Sequence, residues 1–173
     1  VARLVEYDAR FHPSLIVVAS PAFFKDEVLG LLKKDFPVLG KKAVAVGCNQ
    51  AGRDGLLEVL KRDELKRLLE KFRIVEESVV VDEVFAEVGK SGKVTYGFDL
   101  VVAAAHAGAV RVIVVAEALI VAARDDGWYD RLDGLLRLVV DTGGKIVLVG
   151  HNDAGKRLMG LTGIAALLRY KLE

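Results

Sequence analysis

The chain has 173 residues, 53% apolar and 28% charged, enough for one domain or two small ones with a core whose burial offsets chain entropy. That balance excludes a disordered chain, and the single Cys48 excludes a disulfide framework and a multi-cysteine zinc site. With His12, His106 and His151 as the only histidines, no dedicated metal site is expected. No apolar run reaches the roughly 18–20 residues of a membrane span, because Arg111 and Glu117 interrupt residues 109–123, and no secretory leader is legible. A soluble cytoplasmic protein without a membrane partner is therefore expected. Asn49, Asn152 and Gln50 are the only side-chain amides, a bias that fits a thermophile. The net charge of +1 divides unevenly: residues 1–74 carry 14 Lys and Arg against 10 Asp and Glu, residues 75–173 carry 11 against 14. Neither half is basic enough to argue nucleic-acid binding, but the asymmetry suggests two domains with different partners, and the start on Val1 without a capped helix suggests a fragment.

Leu15-Ile16-Val17-Val18-Ala19 is a continuous, largely β-branched run and predicts a buried strand. Ser20 and Pro21 leave it through a shaped loop, because Pro21 fixes its own φ and biases Ser20 away from the helical region. A helix is predicted over 25–34 with Val28, Leu31 and Leu32 inward, stopped by Pro37, and a strand over 42–47. Helices follow over 53–62 and 63–72, the second with Asp63 as N-cap and a Leu65, Leu68, Leu69, Phe72 stripe. Composition shifts there, and the domain boundary is expected near Ile74. A separate helix over 76–88 turns Val80, Val81, Val84, Phe85 and Val88 inward. The second half alternates: helix 97–107 ended by Gly108, strand 111–116, helix 128–141, strand 145–149, helix 153–160 and a last strand 164–170. Such alternation implies a three-layer α/β/α sandwich over a mostly parallel sheet, with Ala103, Ala104 and Ala105 letting a helix lie close to it.

No catalytic constellation stands out. Gly150 through Lys156 is one residue short of a phosphate-binding loop and lacks the Ser or Thr after Lys, so a structural loop is the simpler reading. His151 with Asp153 has no nucleophile nearby, Cys48 with His12 is a pair drawn from a whole domain, and His106 on its alanine-rich helix reads as packed or capping. The pairs Glu76-Glu77, Asp82-Glu83 and Asp125-Asp126 read as solvated helix faces. Pro21-Ala22-Phe23-Phe24-Lys25 differs. Two adjacent phenylalanines cannot both enter one core, so one is expected at the surface beside Lys25 as a protein-binding anchor, unless it staples the following helix.

The same residues carry a resemblance. Val17 through Lys25 resembles the pelota central-domain segment built on Pro-Gly-Phe followed by Lys, and Arg53 through Leu60 its Gly-[Leu/Ile/Val]-x-Glu-Val stretch. Val80 through Phe85, Val94-Thr95-Tyr96-Gly97, Gly108-Ala109-Val110, Gly143-Gly144-Lys145, His151 with Gly155 and Leu158, and Leu161 through Tyr170 are similar to the family's third domain. The resemblance implies two small α/β domains: residues 1–74 as the central domain, and residues 75–173 as a third domain like that of release factors and of kink-turn-binding ribosomal proteins. It implies a tRNA-mimicking adaptor in ribosome rescue and mRNA surveillance. Its partners would be a GTP-bound elongation-factor-1-alpha-type GTPase, the ribosome, a recycling ABC-type ATPase and the missing N-terminal domain of the same protein. Pro21, Ala22, Phe23, Phe24, Lys25 and Arg53 would be the partner-binding residues, without cofactor or catalytic residue. An end directly after the last strand, with no acidic tail, resembles archaeal members.

Four departures bear on function. Ala22 stands where the family has glycine, which reduces the loop's freedom to adopt positive φ. Lys156-Arg157 replaces an acidic residue after the glycine matching Gly155. The release-factor Gly-Gly-Gln is absent, and Phe98-Asp99 stands where kink-turn binders carry Asn-Glu, so neither peptidyl-tRNA hydrolysis nor RNA recognition by that surface is expected. A nuclease would want clustered carboxylates around a divalent metal, and a plain RNA-binding domain would show affinity falling steeply with salt; these are the competing readings.

Overall fold

A computed structural model describes residues 2–172, which divide into two compact units, the first ending at Phe72 and the second beginning at Arg73. The first unit starts with α1 (Ala2–Phe11), β1 (Ile16–Ser20), α2 (Phe24–Asp35), α3 (Pro37–Lys41), β2 (Ala43–Gly47) and α4 (Gly52–Lys61). Helix α5 (Asp63–Gly89) begins in it and ends in the second unit. There follow β3 (Val94–Tyr96), α6 (Phe98–His106), β4 (Val110–Ala116), α7 (Glu117–Asp125), α8 (Tyr129–Asp141), β5 (Lys145–Val149), α9 (Asp153–Leu161) and β6 (Ile164–Leu168).

In the first unit β1 and β2 pair in parallel, Ile16 opposite Ala43 through Ser20 opposite Gly47. Alternation along the strands feeds two small clusters. Ile16, Val18 and Ala43 meet Leu32, Leu39 and the α1 residues Leu4 and Val5, while Val17 and Val46 meet Val59, Leu65 and Leu68. Two helix faces are rotated from expectation: Leu31 and Leu69 are exposed, and Leu29 takes the inward place beside Val28 and Leu32. Pro37 does not merely stop α2. It occupies the first turn of α3, where its missing N–H would have had no partner.

The second unit is the expected three-layer sandwich. Odd residues Ile113 and Val115 of β4, with Ile164, Ala166 and Leu168 of β6, face Val101, Ala104, Leu132 and Val139 from α6 and α8. Even residues Val114 and Ala116, with Ala165 and Leu167, face Val81 and Val84 of α5 and Leu158 of α9. Ala104 and Ala105 are fully buried, the close helix approach that small side chains allow.

The sheet order is β3-β6-β4-β5, and the expectation of a mostly parallel sheet is corrected: only β4–β5 is parallel, while β3–β6 and β4–β6 are antiparallel. The reason is local. Ile164 enters beside Val115, at the end of the sheet where β5 leaves beside Ala116. Helix α9 therefore does not carry the chain back along the strands as a parallel crossover would. The separate helices expected over 63–72 and 76–88 are one, because Arg73, Ile74 and Val75 contain no helix breaker. Helices α1 and α7 and the three-residue β3 were not expected: α7 continues an apolar strand without a break in hydrophobicity, and β3 is too short to show a period.

Candidate partner-docking loop

Parallel pairing puts the C-terminal ends of β1 and β2 side by side, and the Cys48 amide donates to the Ser20 carbonyl at 3.3 Å. The loop from Ser20 into α2 and the loop from Gly47 into α4 leave from that common end. Five of the six residues expected to bind partners lie in the first loop and the opening of its helix; the sixth, Arg53, lies in the first turn of α4. Arg53 is exposed and has no hydrogen bond or ion pair among the described residues.

Pro21 is half-buried, and Ser20 Oγ donates to its carbonyl at 3.2 Å. Ala22 adopts φ +52, so the alanine that replaces the expected glycine keeps a left-handed backbone at a steric cost. Phe23 is the N-cap of α2 and offers no side-chain cap; its carbonyl accepts the Asp26 amide at 2.9 Å. Phe23 and Phe24 are 60% and 58% exposed, and their rings stack with centroids 5.0 Å apart. The ring expected at the surface is there together with its neighbour, and with both exposed the alternative of a staple on the following helix is not realised. With Ala22 left-handed and Phe23 at the cap, consecutive side chains leave on the solvent side. Lys25 turns back. Its Nζ donates to the Ala22 carbonyl at 2.7 Å and lies 3.1 Å from Asp26 Oδ2.

The neighbouring loop is tied by Glu58. Its Oε2 accepts the Asn49 amide at 2.8 Å and its Oε1 pairs with Arg62 at 2.5 Å. The Asn49 amide first, and Arg62 second, hold the Glu58 carboxyl below its ordinary value.

Elsewhere the chemistry read from sequence comes apart. His151 Nδ1 lies 3.5 Å from Glu117, not beside Asp153, which opens α9. Asn152 caps α9 by accepting the Gly155 amide at 3.1 Å, so residues 150–156 form a capped structural turn. The Cys48 thiol donates to the Gln50 carbonyl at 3.1 Å, while His12 donates its amide to Asp8. His106 is exposed in the last turn of α6, which corrects the packed reading. Asp82 and Glu83 are engaged by Arg157 and Arg111.

Glu77 corrects the reading of Glu76-Glu77 as solvated. It is 2% exposed; its Oε2 accepts the Gly150 amide at 3.0 Å and Asn152 Nδ2 at 2.6 Å. Arg73 Nε stands 2.9 Å from the other oxygen, an ion pair whose angle makes no hydrogen bond. No sequence signal separates Glu77 from Glu76; the partner groups lie 73 and 75 residues away. Among the described residues no three His, Cys, Asp or Glu side chains gather to hold a metal, and no helix is long and apolar enough to cross a membrane.

The chain is 36% identical, over 99% of its length, to the protein pelota homolog of Archaeoglobus fulgidus, of which it covers 48%; it spans about half the length of the curated relatives it matches. It is similar to the crystal structure of Archaeoglobus fulgidus Pelota, with TM-score 0.61 and 35% identity, covering 99% of this chain and 54% of that one. It is also similar to archaeal Pelota in a model of the ribosome-bound protein with ABCE1, with TM-score 0.78 and 27% identity, covering 99% and 48%. The family model for eRF1 domain 3 matches residues 74–172, the whole of the three-layer sandwich, and the chain belongs to that family.

Proposed function

We propose that this chain is the central and C-terminal part of a pelota-type, release-factor-like ribosome-rescue factor, acting as a tRNA-mimicking adaptor and not as a catalyst. Residues 1–74 would form the central domain and residues 75–173 the third domain. The observation that carries the reading is the likeness of 99% of the chain to archaeal Pelota bound to the ribosome with ABCE1, at TM-score 0.78. The action would take place on stalled ribosomes in the cytoplasm. The third domain would provide the main docking surface, an elongation-factor-1-alpha-type GTPase would deliver the factor, and a recycling ABC-type ATPase would split the subunits with it. Pro21, Ala22, Phe23, Phe24, Lys25 and Arg53 would meet the GTPase near its nucleotide-sensing switches. Two exposed stacked rings, with an exposed Arg53 in the first turn of the helix that follows the neighbouring strand, have the composition of a binding hot spot.

Calorimetric titration of the chain with the archaeal GTPase, loaded with GTP or GDP, tests this reading. Tighter binding of the GTP form, weakened by Phe23→Ala, is the expected result. Equal affinity for both forms, with no effect of Phe23→Ala, would remove the loop from the GTPase contact, and sedimentation with archaeal ribosomes would then test the adaptor role alone.

A further inference from the structure

The loop that carries the two rings holds a conformation its sequence disfavours. At φ +52 the Cβ of Ala22 crowds the carbonyl that follows it, so other interactions must hold that residue in place. The Lys25 ammonium is the side chain that does so, bound to the Ala22 carbonyl at 2.7 Å with its side chain only 23% exposed. On the far side, the Phe23 carbonyl is fixed by the amides of Asp26 at 2.9 Å and Glu27 at 3.3 Å. Between these anchors Phe23 and Phe24 project into solvent as one stacked unit, already ordered before any partner arrives. Charge narrows the choice of partner. Lys25, Asp26 and Glu27 leave one net negative charge on the segment, and its only cation faces inward. A phosphate backbone would meet exposed carboxylates here, whereas a protein cleft with a basic rim would find them complementary.

We propose that residues 21–24 are a preorganised two-ring wedge for an apolar, basic-rimmed cleft on a protein partner, and that Lys25 is a positioning residue acting through the Ala22 carbonyl. Of the six residues proposed for the partner surface, Lys25 then serves it by holding the loop rather than by touching the partner. The proposal rests on the reading of this loop as a partner surface, so its test needs one readout that involves no partner.

The experiment compares the unaltered 173-residue chain with Lys25→Met, Phe23→Ala, Ala22→Gly, and Lys25→Met combined with Ala22→Gly. Methionine keeps much of the lysine stem and removes the ammonium. By NMR without partner, Lys25→Met is expected to lose the Phe23–Phe24 ring contacts and the positive φ of residue 22. The double variant is expected to keep both, because glycine adopts that backbone without a Cβ penalty. A loop unchanged in Lys25→Met overturns the proposal, even if Phe23→Ala still weakens binding and the functional reading stands. Titration with the GTP-bound elongation-factor-1-alpha-type GTPase is the second readout. Lys25→Met is expected to weaken binding about tenfold relative to the unaltered chain, and the double variant to recover most of that loss relative to Ala22→Gly. Weakening without recovery would make Lys25 a direct contact and overturn its positioning role. No binding by the unaltered chain, or full affinity in Phe23→Ala, would remove the wedge together with the partner reading of the loop. A third arm uses a single-stranded RNA oligonucleotide: binding that Phe23→Ala weakens would overturn the choice of a protein partner.

Discussion

In both units a strand runs into a loop whose last turn presses a backbone carbonyl against a glycine of the next helix. A Cβ on Gly55 of α4 would stand 1.9 Å from the Gln50 oxygen, and one on Gly155 of α9 would stand 2.0 Å from the Gly150 oxygen. The joint is the same and its surroundings are not. Around Gly155 the loop is locked by the buried Glu77, the Asn152 cap and fully buried Leu158, with a four-stranded sheet beneath. Around Gly55 the sheet has two strands, and Val17, Val18 and Ile16 of β1 remain only half-buried. The difference teaches that a local motif sets where strain falls, while the layers packed around it set what that strain costs.

The sharpest way to break this comparison is through the cores. Leu158→Ala, at a site with no exposed surface, is expected to cost about 3–4 kcal/mol, whereas Leu29→Ala, half-buried in the first unit, should cost about 1. Urea denaturation followed by Trp128, which packs edge-on against Phe98, reads the second unit, and amide exchange in β1 and β2 reads the first. Equal losses would show that layer number does not govern the cost. Next, Glu77→Ala should destabilise the second unit by about 2–3 kcal/mol, because the Gly150 amide and the Asn152 side chain lose a buried acceptor. Glu83→Ala, which removes an exposed ion pair with Arg111, should cost no more than about 0.5 kcal/mol in the same assay.

The paired glycines refine the point. Gly155→Ala should cost about 2–3 kcal/mol and Gly55→Ala about 1 in the same measurements, since the thinner unit can shift its loop more cheaply. The smallest effect concerns pH. The Glu58 carboxyl is held below its ordinary value by the Asn49 amide and then by Arg62. Its contribution is therefore complete above the ordinary carboxylate value and is lost as pH falls through the lowered folded value. Exchange of the 48–51 amides should quicken over that acid window, and Glu58→Gln should abolish the extra acid sensitivity. A window shifted above the ordinary carboxylate value would contradict the assignment.

Much was fixed by local chemistry. Continuous β-branched runs such as Ile16-Val17-Val18 and Val112-Ile113-Val114-Val115 become strands because their stiff side chains suit the pleat, and Gly108, at φ +63, ends α6 as its position demanded. The Pro21–Lys25 segment was legible as a surface feature because two adjacent bulky rings exceed what one core face can take. Other properties needed the fold. The same kind of apolar run is half-exposed in β1 and fully buried in β6, since burial depends on how many layers surround a strand. The direction of β6 depended on which end of the sheet α9 returned the chain to. Glu77 became the one described charged side chain in the core only because Gly150 and Asn152 came to meet it. The inward turn of Lys25 required Ala22 to hold a backbone angle that composition gave no reason to expect. Sequence spacing acts over a few residues, whereas these groups are brought together by packing free energy summed over a whole domain.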